Sequence, residues 1–237
     1  MHKYSNIVIL TGAGISAESG IRTFRASDGL WEDHRIEDVA TPEAFVRDPK
    51  LVQRFYNMRR QPLLGNEVAP NAAHYALAEL QKKHSGKVTL VTQNIDNLHE
   101  QGGSENVIHM HGEILKIRCC VTGEIYPCQR SVSIADKCAC CDEAGNLRPH
   151  IVWFGEMPLL MEEIYQALEN CDLFVAIGTS GNVYPAAGFV QIANQVGADS
   201  LEINLERSNI ATEFDDAIYA KATEAVPGWV DQILDRK

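Results

Sequence analysis

The 237-residue sequence predicts an α/β fold: a Rossmann-like, doubly wound parallel sheet with a smaller domain made of a helical insertion and a zinc-ribbon-like insertion. Three observations predict it. Short apolar runs alternate with amphipathic stretches along most of the chain. A glycine-rich turn follows the first of those runs directly, and residues 112–150 interrupt the pattern with a concentration of cysteines. The expected division is 1–32, 71–111 and 151–237 for the nucleotide-binding body, with 33–70 and 112–150 forming the small domain.

Composition is that of an ordinary globular protein, 45% hydrophobic and 22% charged. A net charge of −11 argues against nucleic-acid binding, which needs a basic footprint. It mildly favours basic partners such as lysine-rich segments, although solubility alone accounts for an acidic balance. Apolar runs such as Ile7 to Leu10 are too short to span a bilayer, so no membrane role is expected. The first residues have no signal-peptide pattern. The expected location is the cytoplasm and the default state a monomer. Seven cysteines without an export signal suggest a metal and not disulfides.

Asn6 to Thr11 reads as a central strand, followed by Gly12-Ala13-Gly14-Ile15-Ser16-Ala17. That run fits a dinucleotide fingerprint, in which glycines allow a tight turn and close approach of a diphosphate. The acidic ribose reader of a simple dehydrogenase is missing about 20 residues on, where Asp28 to His34 looks like loop. Within that loop, Phe24 is either a lid over a reactive centre or an anchor, and Arg25 could pair with phosphate. Pro49 to Arg60 has helical periodicity through Leu51, Val52, Phe55 and Met58. Tyr56 and Arg59, three apart, share a face. They make either a carboxylate clamp or a solvated helix surface.

Asn71 to His84 reads as a second helix with Ala72, Tyr75, Leu77, Ala78 and Leu80 inward. The strand Val88-Thr89-Leu90-Val91 then delivers Gln93-Asn94-Ile95-Asp96 to its carboxyl end. Two amides and a carboxylate there suit a carboxamide and a sugar hydroxyl. A short strand at Val107-Ile108 leads to His109 and His111. His111 is the better candidate for proton transfer, because Gly112 would let a substrate come close.

Cys138 and Cys141 form C-x-x-C, with Cys119 at ribbon spacing upstream. Thr122 stands where a fourth cysteine is expected, so Cys120 or Cys128 completes the tetrahedron, or the site is partial or empty and the cysteines are reduced buried thiols. No His/Glu set accompanies these thiols, which points to a structural Zn2+. From Leu147 the α/β pattern resumes. Ile151 to Glu156 reads as an edge strand or loop, Met161 to Asn170 as a helix, and Asp172 to Ile177 as a strand. That strand ends in Gly178-Thr179-Ser180-Gly181. After a helix over Pro185 to Val196, the strand Ser200 to Leu205 ends in Asn204-Leu205-Glu206, whose acid suits a ribose. A last strand is expected over Ala217 to Ala222 and a closing helix over Pro227 to Asp235.

Taken jointly, Gly12-Ala13-Gly14-Ile15-Ser16, Phe24-Arg25, Gln93-Asn94-Ile95-Asp96, His111-Gly112, Phe154-Gly155-Glu156, Gly178-Thr179-Ser180 and Asn204-Leu205-Glu206 resemble the sirtuins in order and spacing. The likeness covers essentially the whole chain and is closest in wording to bacterial members. Tyr56 with Arg59 further resembles the subclass that prefers acidic acyl groups. The resemblance implies an NAD-dependent protein-lysine deacylase, acting on acetyl- and succinyl-lysine and consuming NAD as co-substrate. It assigns Gly12, Ala13, Gly14, Ser16 and Arg25 to the diphosphate and Phe24 to shielding the reactive ribose carbon. Asn94 and Asp96 go to the nicotinamide pocket, Asn94 counted with His111 as catalytic, and Gln93 to the ribose. Gly178, Thr179, Ser180, Asn204, Leu205, Glu206 and Ala222 go to the adenosine half. Val152, Phe154, Gly155 and Glu156 would pair with the substrate peptide as an added strand.

The implied chemistry breaks the bond between nicotinamide and ribose so that the acyl amide oxygen can attack the ribose carbon. His111, as general base, then takes a proton from a ribose hydroxyl. That hydroxyl attacks the imidate carbon, and water completes release of free lysine and O-acyl-ADP-ribose, nicotinamide having left in the first step. A hydride-transferring oxidoreductase lacks its acceptor site here. A non-catalytic NAD-binding module leaves His111 and Asp96 without a task. Mono-ADP-ribosyl transfer shares only the first step.

Overall fold

The computed structural model describes residues 3–21, 30–31, 34–65 and 67–235. In chain order, β1 (Asn6–Thr11) runs into a 3-10 segment over Ala13–Ser19. The ribbon β2 (Leu30–Trp31) and β3 (His34–Arg35) is followed by α1 (Ile36–Val39), α2 (Pro42–Arg47) and α3 (Pro49–Leu64). Next come α4 (Ala72–Lys83), β4 (Lys87–Thr92), α5 (Leu98–Gln101) and β5 (Ile108–His109). β6 (Gly112–Cys119), β7 (Ile125–Pro127) and β8 (Leu147–Ile151) precede α6 (Met161–Glu169), β9 (Leu173–Ile177) and α7 (Phe189–Gln195). β10 (Asp199–Asn204), β11 (Asp216–Tyr219) and α8 (Ala222–Asp235) close the chain.

Six parallel strands form the main sheet in the order β11-β10-β9-β1-β4-β5. The chain moves outward from β1 through β4 to β5, then returns to build β9, β10 and β11 on the other side. This reversal sets the turns after β1 and β9 side by side at the carboxyl edge, where doubly wound sheets hold ligands. Alternation along the strands divides the core. Ile7, Ile9, Leu90, Val175 and Ile203 pack with Leu77, Leu80, Val226 and Trp229 from α4 and α8. Val8, Leu10, Val91, Phe174 and Ala176 meet Ile164, Leu168, Phe189 and Val190 from α6 and α7. Burying a Val, Leu, Ile or Phe side chain in this way stabilises the fold by about 1.5–3 kcal/mol.

Two smaller modules sit on this body. Helices α1 to α3 share a core with Ile114, Ile151 and Trp153. Asp48 caps α3 by accepting from the Leu51 amide, one residue before Pro49. The other module is a three-stranded antiparallel sheet, β7-β6-β8, carrying the cysteines.

Some expectations about elements change. β8 belongs to the antiparallel sheet, so the parallel pattern resumes only at α6 and β9. The final strand ends at Tyr219, and Ala222 opens α8, with Pro227 inside that helix. Met58 is 61% exposed and lies outside the α3 core. On α4 the inward residues are Ala73, His74, Ala76, Leu77 and Leu80, while Tyr75 is exposed. Several alanines made two helical phases equally apolar, and burial of His74 on polar partners selected between them.

Candidate active site

A cleft of about 970 Å³ runs along the carboxyl edge of the sheet and under the helical module. Its nucleotide side is set at the strand reversal. The Gly12 amide donates to Ile177 O and the Gly14 amide to Gly178 O, both at 2.9 Å. A Cβ at Gly14 would lie 2.6 Å from Gly178 Cα, and one at Gly12 2.7 Å from Gly178 O. These glycines are therefore required by contact between the two turns, in addition to any ligand. Ala13, Ser16, Thr179, Ser180, Asn204, Leu205, Glu206 and Ala222 also line the cleft. Asn204 Nδ2 donates to Thr179 O at 2.8 Å, tying the ends of β9 and β10.

The segment after β4 enters the same cleft. Gln93 is fixed by its amide on Thr11 O. Asn94 Nδ2 donates to Gly12 O and to Ser16 Oγ, each at 3.2 Å. Asp96 accepts from the Leu98 amide at 3.1 Å and from the Ser16 hydroxyl at 3.3 Å. Burial raises the Asp96 carboxyl above its usual range. Behind them, His74 Nδ1 accepts from the Asn71 amide, so its Nε2–H faces Ser16 Oγ at 3.4 Å. His99 Nε2 lies 2.9 Å from Thr11 Oγ1. Burial lowers His74 to about 4 and His99 to about 3, so both are neutral at physiological pH.

His111 Nδ1 lies 3.0 Å from the Gln93 carbonyl. A carbonyl only accepts, so Nδ1 carries the proton and Nε2 of the neutral ring keeps its lone pair. Burial lowers the His111 pKa, partly countered by that bond. His109 has a different task. Its ring lies 2.6 Å from Glu100 Oε1 and 3.4 Å from Asn94 O, inside the body. Burial alone would lower its pKa, but the Glu100 carboxylate raises it overall. Gly112 is required by its backbone surroundings. Its φ is +81°, and a Cβ there would lie 2.1 Å from His150 O, so β8 is what needs the glycine.

Tyr56 and Arg59 do share a face, and both line the cleft. Tyr56 is fully buried, and its hydroxyl accepts from Trp153 Nε1 at 2.9 Å. Arg59 places its guanidinium carbon 5.1 Å from the Phe55 ring centroid. Val152, Phe154, Gly155 and Glu156 line the neighbouring wall. The amides of Val152, Phe154 and Glu156 donate to His111 O, Ala40 O and Trp153 O. The Glu156 carboxylate is bound within the chain as well, by Arg148, Arg118 and the Trp153 amide. Phe24 and Arg25 lie outside the described residues. Cleft residues that the sequence patterns did not mark include Glu18, Asn182, Tyr184, Ser208 and Lys221. They come from segments between motifs, and no spacing signals them.

In the cysteine module, the thiols of Cys119, Cys138, Cys140 and Cys141 lie within 4.8 Å of one another. Tetrahedral Zn2+ with thiolate ligands needs sulfurs about 3.8 Å apart, so this donor set fits a structural zinc. The fourth thiol of the cluster is that of Cys140, where the sequence pointed to Cys120 or Cys128. Cys120 opens the turn that follows β6 and is exposed. Cys128 is buried with its thiol donating to Arg130 O at 3.3 Å. The chain turns back at 138–142, where the Asp142 amide donates to Cys138 O, and this brings Cys140 inward. Thr122, at the vacant ribbon position, contacts the Cys140 sulfur at 3.0 Å.

A doubly wound sheet with a nucleotide turn at its reversal, and a base-competent histidine in the same cleft, defines a nucleotide-dependent enzyme. Residues 12–185 match the model of the Sir2 family, and the chain belongs to that family. It is 62% identical over 234 residues to an NAD-dependent protein deacylase of Pasteurella multocida, covering 99% of this chain and 100% of that one. A mutant Sir2 homologue in complex with 2'-O-acetyl ADP ribose superposes with a TM-score of 0.89 at 38% identity, covering 99% of this chain and 95% of that one. A Sir2–p53 peptide–NAD+ structure gives 0.83 at 28% identity, covering 97% and 94%.

Proposed function

We propose that this protein is an NAD-dependent protein-lysine deacylase serving both acetyl-lysine and succinyl-lysine. NAD supplies the leaving group and the acceptor: nicotinamide departs and ADP-ribose takes the acyl group. The observation that carries the reading is the shared cleft of His111, the Ser16–Asn94–Asp96 network and the Tyr56/Arg59 pair.

His111 acts as general base through Nε2, taking a proton from a ribose hydroxyl; such groups contribute about 10²–10⁴-fold. Asn94 and Asp96 hold the carboxamide end of NAD, and Gln93 orients the ribose. Gly12, Ala13, Gly14, Ser16 and Arg25 receive the diphosphate, and Phe24 shields the reactive carbon. Gly178, Thr179, Ser180, Asn204, Leu205, Glu206 and Ala222 receive the adenosine half. The substrate peptide lies along 152–156 and donates its amides to carbonyls of that turn, whose own amides at 152, 154 and 156 are already used. Residues 1–32, 71–111 and 151–237 act as the nucleotide-holding body, and 33–70 and 112–150 as the substrate-facing small domain. The enzyme works in the cytoplasm as a monomer.

Arg59 and Tyr56 bind the terminal carboxylate of a succinyl group. A charge-assisted hydrogen bond of this kind is worth roughly 1.5–3 kcal/mol. Arg59→Met should therefore lower desuccinylation at least 10-fold more than deacetylation. Mass spectrometry of acetyl- and succinyl-lysine peptides, with and without NAD, measures both; equal loss of the two activities would refute the clamp.

A further inference from the structure

The acyl end of the cleft carries contacts that the proposed chemistry does not use. Trp153 Nε1 donates to the Tyr56 hydroxyl at 2.9 Å, and both side chains are buried. The indole is held from behind, with the Arg148 guanidinium carbon 3.3 Å from the ring centroid. Arg148 in turn donates to both oxygens of Glu156, at 2.7 and 2.9 Å. Glu156 Oε2 also accepts from the Trp153 amide at 2.8 Å. A connected series thus runs from the turn at 154–156 to the phenol in the acyl pocket.

An indole N–H can only donate, so this bond has one direction. The phenol oxygen receives the indole proton and directs its own proton elsewhere. Burial raises the Tyr56 pKa, which keeps that proton in place across the physiological range. A phenylalanine at 153 would supply nearly the same packing, so the N–H is the informative part of the residue.

Resting on the reading of Tyr56 and Arg59 as a carboxylate clamp, we propose that Trp153 is its positioning residue. The indole N–H fixes the phenol so that its O–H and the Arg59 guanidinium address the same acyl carboxylate. The selectivity for acidic acyl groups is then set partly by the turn along which the peptide lies. Acetyl-lysine has no terminal carboxylate and is less sensitive to this placement.

The test compares kcat/KM for succinyl- and acetyl-lysine versions of one peptide across Trp153→Phe, Tyr56→Phe, the double variant and Arg59→Met. Loss of a neutral hydrogen bond predicts that Trp153→Phe lowers the succinyl-to-acetyl ratio about 5-fold, mainly through a raised KM for the succinyl peptide. In the Tyr56→Phe background the same change should have little further effect on the ratio, because its target is gone. A ratio unmoved by Trp153→Phe, or additive effects of the two changes, overturns the role of Trp153 while a selective loss in Arg59→Met leaves the clamp standing. A ratio unmoved by Arg59→Met overturns the clamp itself. If Trp153→Phe fails to fold, benzothienylalanine at position 153 keeps the ring shape, removes the N–H and is read by the same criteria.

Discussion

The parallel-sheet body and the cysteine module solve stability in opposite ways. The body buries an apolar layer on each face of its sheet, and can therefore hold polar side chains such as His74, His99 and Asp96 inside. The module has only a small cluster around Ile117, Val132 and Leu147, to which Cys119, Cys128 and Cys138 contribute. Where apolar area is scarce, a thiol cluster able to hold a metal can substitute for it. The difference teaches that catalytic chemistry belongs where the core is large enough to absorb buried polar groups, and that the small module provides shape.

Metal removal is the strongest way to break that comparison. Structural zinc contributes on the order of 10 kcal/mol in small domains. Cys140→Ser should abolish stoichiometric zinc and unfold the module, while Cys128→Ser should retain the metal, as measured by elemental analysis of the purified protein. Metal kept in Cys140→Ser but lost in Cys128→Ser would return the fourth ligand to Cys128.

Next in size is His111→Ala. It should lower turnover of acetyl and succinyl peptides alike by about 10²–10⁴-fold, with NAD binding retained by calorimetry. Turnover at the original rate would remove the general base from its assigned place.

Gly14→Ala sharpens the comparison from the body's side. Its Cβ would overlap backbone of the neighbouring turn, so the protein should lose about 1–3 kcal/mol of stability in denaturant melts and bind NAD more weakly. A change at Gly123, where a Cβ meets nothing within 4 Å, lacks that steric clash.

The last effect is one of pH and concerns the buried neutral histidines. His74 at about 4 and His99 at about 3 bind protons less readily folded than unfolded. Below the ordinary histidine pKa of about 6.5 the unfolded chain therefore takes up more protons. Stability should fall as pH drops from there towards 4, by up to about 1.4 kcal/mol per pH unit for each ring. His109, raised by Glu100, works in another window: its contribution is complete below about 6.5 and is lost as pH rises through its raised value. Urea melts between pH 4 and 7 check the first effect, and a flat profile would refute it.

Much of this molecule was legible in the chain. Alternating strands and helices and the position of Gly12 to Ser16 after the first strand are local patterns, and they led to the sheet and its ligand edge. So did the sirtuin-like motifs, because each is a short run whose spacing survives without knowledge of the fold. The α4 phase was less legible, since alanines fit both faces. The steric need for glycine at 112 was not legible, because the atom a Cβ would meet, His150 O, lies far along the chain.

Sequence alone determined that the motif residues follow strand ends, since strand period and turn composition are properties of neighbouring residues. Tertiary structure decided what depends on distant segments meeting. It brought Cys140 and not Cys120 or Cys128 to the thiol cluster, gave the His111 proton to Nδ1 through Gln93 O, and set Trp153 against Tyr56. Those outcomes follow from hydrogen-bond direction and steric contact across the fold, which no spacing along a chain encodes.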